Sequence, residues 1–125
     1  MIQIAQNTDI DDIYNLIESS IPHVISRTKE DIAKNIYKFI VIKKENKVVA
    51  CASFEEYDDR IAEIRSMVVD SGYRGNGYSE MLINKLKTRA KRNQKVMVVT
   101  NKVALFEKYG FASQHESKQI LFLKR

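Results

Sequence analysis

The stretch SMVVDSGYRGNGYSEMLINKL, residues 66–86, decides the fold. It leaves an apolar, β-branched run, crosses glycines at 72, 75 and 77, and enters a segment where Tyr78, Leu82, Leu86 and Ala90 recur at i, i+4 spacing with Met81 beside them. That order predicts a strand, a bend and an amphipathic helix over 78–92. Upstream, RIAEIRSMVV at 60–69 alternates Ala62, Ile64, Ser66 and Val68 against Ile61, Glu63, Arg65 and Met67, as a central strand with one polar-lined face would. Downstream, KVMVVT at 95–100 reads as a buried strand. The succession is a right-handed crossover, so strands 60–69 and 95–100 are expected to run parallel.

Around this unit the pattern is mainly antiparallel. FIVIKKENKVVACASFEEY gives two runs, 39–44 and 47–56, joined at Glu45-Asn46 with hairpin spacing. IQIA at 2–5 alternates like a short strand, and Thr8 or Asp9 is placed to cap a helix over 9–20 with Ile10, Ile13, Leu16 and Ile17 on one stripe. Thr28 with Asp31 resembles a capping box for a second helix, whose apolar face continues through Ile32, Ile36 and Phe39. VALFEKY at 103–109 reads as a short helix stopped by Gly110, and FASQHESKQILFLK as a closing hairpin. The fold class expected is α+β: a mixed, mainly antiparallel sheet with one parallel crossover and flanking helices.

Length and composition narrow the function classes. At 125 residues, 44% hydrophobic and 30% charged, with no linker composition, the chain reads as one domain over 1–125. No apolar run reaches the roughly 20 residues of a membrane span, and MIQIAQNTDIDDI lacks the order of a secretion signal, so a cytoplasmic setting is expected. The single cysteine, Cys51, forms no internal disulfide and reads as a small core residue; His23 and His115 read as surface residues, and no metal cluster is expected. Residues 1–62 carry a net charge of −3 and residues 63–125 a net charge of +8, so the second half expects an anion. The densest basic segment is KLKTRAKRNQK at 85–95, open to a solvated face, a phosphate-bearing small molecule or RNA.

The glycines suggest which anion. Between a strand and a helix they allow positive φ and close backbone approach, so the amides at 75–79 and the helix dipole would hold a diphosphate. No Lys-Ser/Thr follows, and the spacing is not G-x-G-x-x-G, which argues against nucleotide hydrolysis and hydride transfer.

Arg74-Gly75-Asn76-Gly77-Tyr78-Ser79 entering a helix, preceded by MVVDSGYRG and followed by NKVALFEKYGF at 101–111, resembles the paired motifs of the GNAT superfamily of acetyl-CoA-dependent N-acetyltransferases. The resemblance implies a GNAT-like fold and transfer of an acetyl group from acetyl-CoA, the cosubstrate, to a primary amine. It further implies backbone hydrogen bonds from Met67, Val68 and Val69 to the pantetheine arm, diphosphate contacts from Arg74, Gly75, Asn76, Gly77, Tyr78 and Ser79, and Asn101, Leu105 and Phe106 at the thioester end. Lys108 is either near the adenosine phosphates or solvated.

Attack by a neutral amine needs a base and an oxyanion donor, and can use an acid for the thiolate. Glu63, on the polar-lined face, is the candidate base; the competing reading is a solvated acid or a partner of Arg65. The family's usual acid, a tyrosine before the acidic residue of the last helix, is replaced here by Phe106, which leaves Tyr109 as candidate acid or as a packing residue. AEIRSMVV with VVTNKVALFEKYGF also resembles the compact acetyltransferase domain of bacterial N-acetylglutamate synthases, although ASQHESKQILFLKR does not match their tail. That resemblance implies Arg65 and Ser66 as contacts to an acidic acceptor's carboxylates. The acids of FEEYDD at 54–59 would either attract a cationic amine or form a solvated turn. Expected partners are the amine acceptor and, at most, a second copy of the chain, with no membrane. A non-catalytic acyl-CoA-binding or regulatory module and, below it, a basic RNA-binding domain are the alternatives.

Overall fold

Residues 60–100 form the expected crossover. In the computed structural model, which describes residues 1–100, 102–113 and 119–123, strands β4 (Ile61–Val69) and β5 (Lys95–Thr100) pair in parallel through Ile61–Lys95, Ala62–Val96 and Glu63–Met97. Helix α3 (Tyr78–Lys87) connects them. The other strands are β1 (Ile2–Ile4), β2 (Phe39–Lys44), β3 (Lys47–Glu56), β6 (Phe111–Ser113) and β7 (Gln119–Leu123), in the order β1-β2-β3-β4-β5-β7-β6. The β1–β2, β2–β3, β5–β7 and β6–β7 pairs are antiparallel. Helices α1 (Ile10–Ser19), α2 (Lys29–Lys34) and α4 (Val103–Lys108) complete the mixed α+β fold.

Two units divide the chain by contact density: Met1–Ser53 with Ser66–Leu82, and Phe54–Arg65 with Ile83–Arg125. The first unit's core gathers Ile13, Leu16 and Ile17 of α1, Ile32 of α2, Phe39 and Val41 of β2, Cys51 of β3 and Val68 of β4. Asp9 does not cap α1 through its side chain as expected. Its Oδ2 accepts from Gln6 N at 2.8 Å, closing a 3₁₀ turn over Asn7–Asp9, and its Oδ1 lies 2.8 Å from Lys43 Nζ. Thr28 does cap α2, accepting from Asp31 N at 3.0 Å. In β3 the register with β2 slips at Val49, and the Val49 carbonyl accepts from Asp70 N at 2.8 Å, tying down the end of β4.

In the second unit Ile83, Leu86, Val96, Val98, Phe106, Phe111 and Leu121 are buried. Phe106 meets Phe111 edge-on at 5.5 Å. Helix α3 stops at Lys87, short of the expected 92. Thr88, Arg89 and Ala90 bond to carbonyls three residues back, the Thr88 hydroxyl takes Lys85 O at 2.6 Å, and Asn93 adopts φ 67°. These tighter bonds end the α-helical ladder. Met81 is turned outward, 40% exposed, and Ile83 takes the buried place. Gly110 follows α4 at φ 98°, as a helix stop requires.

Glu45 and Asn46, at φ 52° and 62°, both occupy the left-handed region, the geometry of a type I′ hairpin. A glutamate is costly there. Replacing the pair by Asn-Gly is expected to raise unfolding free energy by about 1 kcal/mol, read as a higher urea midpoint at unchanged slope.

Candidate active site

The bend after β4 is built by local hydrogen bonds. Asp70 Oδ1 accepts from Gly72 N at 2.9 Å, setting a 3₁₀ turn over Ser71–Tyr73, and Asn76 Nδ2 donates to Tyr73 O at 2.9 Å. Gly75 and Gly77 then take φ 83° and 76°. A Cβ added at either would meet no atom within 4 Å, so backbone handedness, not crowding, demands glycine at both. Arg74, Gly75, Asn76 and Gly77 are exposed, and Tyr78 and Ser79 half-buried. Met81 N donates to Gly77 O at 3.1 Å, while the amides of the first helical turn have no acceptor within the helix. An open, glycine-lined approach ending on those amides fits a diphosphate.

Just before the bend, Ser66 departs from extended geometry at φ 52°. Its hydroxyl accepts from Arg27 Nη1 at 3.3 Å, and its carbonyl accepts from Cys51 Sγ at 3.4 Å. Met67 and Val69 are half-buried, and Val68 is buried. Cys51 is itself buried, and burial pushes its thiol up to about 12 against the opposing Val68 backbone hydrogen bond and Arg27 charge, the state of an inert core residue.

In the second unit, Tyr57 N donates to Ile61 O at 3.0 Å, a register that sets Tyr57 diagonal to Glu63 and Glu55 diagonal to Arg65 on one face. Tyr57 Oη donates to Glu63 Oε1, and Arg65 Nη1 lies 4.0 Å from Glu55 Oε1. Arg65 thus pairs with Glu55. Partial burial, then the hydrogen bond to Glu63 and its charge, push the Tyr57 phenol up to about 12. Glu56 and Asp59 hold Lys91 at 3.3 and 3.0 Å, and Gln94 donates to Glu56 at 3.0 Å. The acids at 55–59 are therefore partly neutralised locally, and so is the basic segment 85–95.

Phe106 is buried, Leu105 half-buried, and Tyr109 half-buried, with its carbonyl accepting from Lys87 Nζ at 3.1 Å. Lys108 is exposed and lies over the Tyr109 ring at 5.8 Å. His23 is exposed. Asn101 and His115 lie outside the described residues. Sequence reasoning missed Arg27 and Tyr57. Hairpin register carried a signal for Tyr57; no local pattern marked Arg27.

The mixed sheet, the parallel crossover from β4 to β5 and the glycine bend entering α3 define the class of the fold, α+β with a mixed sheet. The sequence profile of the Acetyltransferase (GNAT) family matches residues 9–111, and the chain belongs to that family. The amino-acid acetyltransferase of Photorhabdus laumondii is 28% identical over 131 residues, covering 94% of this chain and 29% of that protein. The amino-acid acetyltransferase of Yersinia pseudotuberculosis is 29% identical over 92 residues, covering 70% of this chain and 21% of that protein. The chain thus spans less than a third of these relatives' length. Among solved structures, Rv2747 of Mycobacterium tuberculosis in complex with CoA superposes with a TM-score of 0.92 at 16% identity, covering 100% of this chain and 99% of that one. The N-acetylglutamate synthase of Neisseria gonorrhoeae, complexed with coenzyme A and N-acetyl-glutamate, gives 0.89 at 19% identity, over 100% of this chain and 35% of that one. No helix among the described residues is long and apolar enough to cross a membrane.

The Tyr57–Glu63 pair has a spectroscopic consequence. In Glu63→Gln the carboxylate charge is gone, and the Tyr57 phenolate, isolated by subtracting the Tyr57→Phe spectrum at 295 nm, is expected to titrate below 12 and nearer the ordinary tyrosine value. The neutral phenol stabilises the fold below the unfolded tyrosine pKa of about 10, and that contribution is lost as pH rises through 12.

Proposed function

We propose that residues 1–125 act as one acetyltransferase domain moving an acetyl group from acetyl-CoA to the primary amine of an amino acid, by direct attack with both substrates bound. The observation that carries this reading is the pair of positive-φ glycines, Gly75 and Gly77, leading from β4 onto the first amides of α3 in a chain of the GNAT family. Arg74, Gly75, Asn76, Gly77, Tyr78 and Ser79 bind the diphosphate. Met67, Val68 and Val69 offer main-chain hydrogen bonds to the pantetheine arm, and one of their amides, at Met67 or Val68, polarises the thioester oxygen. Asn101, Leu105 and Phe106 contact the thioester end.

Glu63 takes the amine proton, directly or through water, and the Tyr57 hydroxyl holds the carboxylate in place. The amine nitrogen then bonds to the acetyl carbon, and collapse of the tetrahedral adduct breaks the carbon–sulfur bond and releases the thiolate. Tyr109 is the residue offered for protonating that thiolate, with water as the other proton source. The likeness to amino-acid acetyltransferases and to an N-acetylglutamate synthase supports an amino acid as acceptor. Arg65 and Ser66 are offered as its carboxylate contacts, in competition with Glu55 and Arg27 respectively. Cytoplasmic placement belongs to the same reading.

Acetyl-CoA at about 100 times its dissociation constant should add about 2.7 kcal/mol of apparent stability, and Gly77→Val should abolish that gain by strain and by obstructing the approach. Absence of any thermal shift in the unaltered protein removes the reading. Glu63→Gln should lower kcat by about 100-fold or more, with the acetyl-CoA dissociation constant unchanged; an unchanged kcat hands the base role to another group.

A further inference from the structure

A buried guanidinium needs a reason. Arg27 is 5% exposed and precedes Thr28, the cap of α2. Its Nε donates to Asp31 Oδ2 at 2.6 Å, its Cζ lies 5.0 Å from the Phe39 ring centre, and its Nη1 is shared between Ser53 Oγ at 3.4 Å and Ser66 Oγ at 3.3 Å. Phe39 and Ser53 are register partners across β2 and β3, so they form a fixed floor for the guanidinium. Ser66 is different in kind. It is a non-glycine residue in the left-handed region inside a strand, a conformation that survives only when its surroundings enforce it. Here they do so at two atoms: Cys51 donates to its carbonyl and Arg27 to its hydroxyl.

The kink at Ser66 immediately precedes Met67, Val68 and Val69, so its dihedrals set where the amides and carbonyls of those three residues point. We propose that Arg27 is a positioning residue for the transferase reaction: by clamping the Ser66 hydroxyl against the β2–β3 floor, it fixes the kink that aims the Met67–Val69 backbone at the pantetheine arm. This inference rests on the proposed acetyl-CoA reading. Burying the charge is costly by itself, and a well-packed apolar residue would often stabilise the fold as well or better. What an apolar residue cannot supply is a donor to Ser66. Arg27 acts here through another residue, with Nε and Nη1 already committed to Asp31, Ser53 and Ser66.

The test compares Arg27→Met, which keeps volume and removes the donors, with Arg27→Lys, Ser66→Gly and the double variant Arg27→Met/Ser66→Gly. Acetyl-CoA affinity is measured by calorimetry, and kcat and both KM values by thiol release. The expected result for Arg27→Met is a rise of about tenfold in the acetyl-CoA dissociation constant and KM, equivalent to about 1.4 kcal/mol, with no rise in the acceptor KM, since the change frees the Ser66 hydroxyl. Arg27→Lys should recover part of the loss. Glycine adopts φ above zero without a clamp, so the double variant should regain the affinity of Ser66→Gly alone, which a purely structural defect would not do.

Wild-type acetyl-CoA affinity in folded Arg27→Met overturns the inference and leaves the acetyl-CoA reading standing. So does a rise in acceptor KM alone, which would make Arg27 an acceptor-binding residue, and so does failure of the glycine rescue. No acetyl-CoA binding by the unaltered protein overturns both. Should Arg27→Met not fold, Ser66→Ala removes only the clamped hydroxyl; it should weaken acetyl-CoA binding several-fold, and unchanged affinity overturns the proposal.

Discussion

The backbone enters the left-handed region at three points within twelve residues: Ser66, Gly75 and Gly77. L-residues pay roughly 1–2 kcal/mol for each such position, and glycine pays none of that steric term. The chain meets this constraint in two different ways. At 75 and 77 it uses glycine, with nothing packed on the missing side chain, so the bend stays open to an approaching ligand. At 66 it uses a serine and surrounds it with donors from Arg27 and Cys51. The first solution gives access, and the second gives rigidity. A ligand strand laid along a backbone needs fixed hydrogen-bond directions, whereas a diphosphate needs several amides within reach.

Charge is distributed by a similar economy. The second half of the sequence is strongly basic, yet its densest segment does not present all its charge. Lys91 is held by Glu56 and Asp59, which raise its proton affinity, Lys87 points to the Tyr109 carbonyl, and burial lowers the proton affinity of Arg89. The acidic run at 54–59 supplies part of the neutralisation, so two opposite runs, each open to a ligand reading, offset one another. Arg74, beside the exposed glycines, belongs to neither run.

Much of the fold was legible because periodicity carries it. β3 and β5 fall on the expected residues 47–56 and 95–100, and Gly110 stops α4 as its position after VALFEKY implied. Ala90 extends the apolar stripe and so predicts a helix to 92, whereas α3 ends at Lys87, where the Thr88 hydroxyl reaches Lys85 O, an option no apolar period encodes. Asp9, one of the two caps the sequence offers with Thr8, stands at the cap position of α1 but turns its carboxylate elsewhere: such a group at a helix start has two uses, and it bonds to Gln6 N and to Lys43, 34 positions away. Within the candidate site, the glycine bend was visible as spacing. Arg27 was not, since its partners Asp31, Ser53 and Ser66 lie in three separate elements and only the tertiary fold assembles them.

Phe106 bears on how the thiolate leaves. Its ring is buried edge-on against Phe111, so the place where the resemblance puts a tyrosine is filled by packing. Tyr57 does not substitute as an acid while Glu63 is ionised: partial burial and the Glu63 carboxylate hold its phenol above the ordinary tyrosine range, further from a thiol near 8.5. On the proposed mechanism Glu63 has become neutral by the time the carbon–sulfur bond breaks. The part of the phenol's shift due to the carboxylate charge then disappears, but even an ordinary tyrosine near 10 remains the weaker acid by about 2 kcal/mol. At neutral pH a thiolate of a thiol near 8.5 lies only about 2 kcal/mol above its protonated form, so it can leave without an acid, and the proposed mechanism places its demand on the base and the oxyanion donor. On that mechanism a phenylalanine at 106 is compatible with turnover, and the hydroxyl of Tyr57 would act earlier, through its hydrogen bond to Glu63.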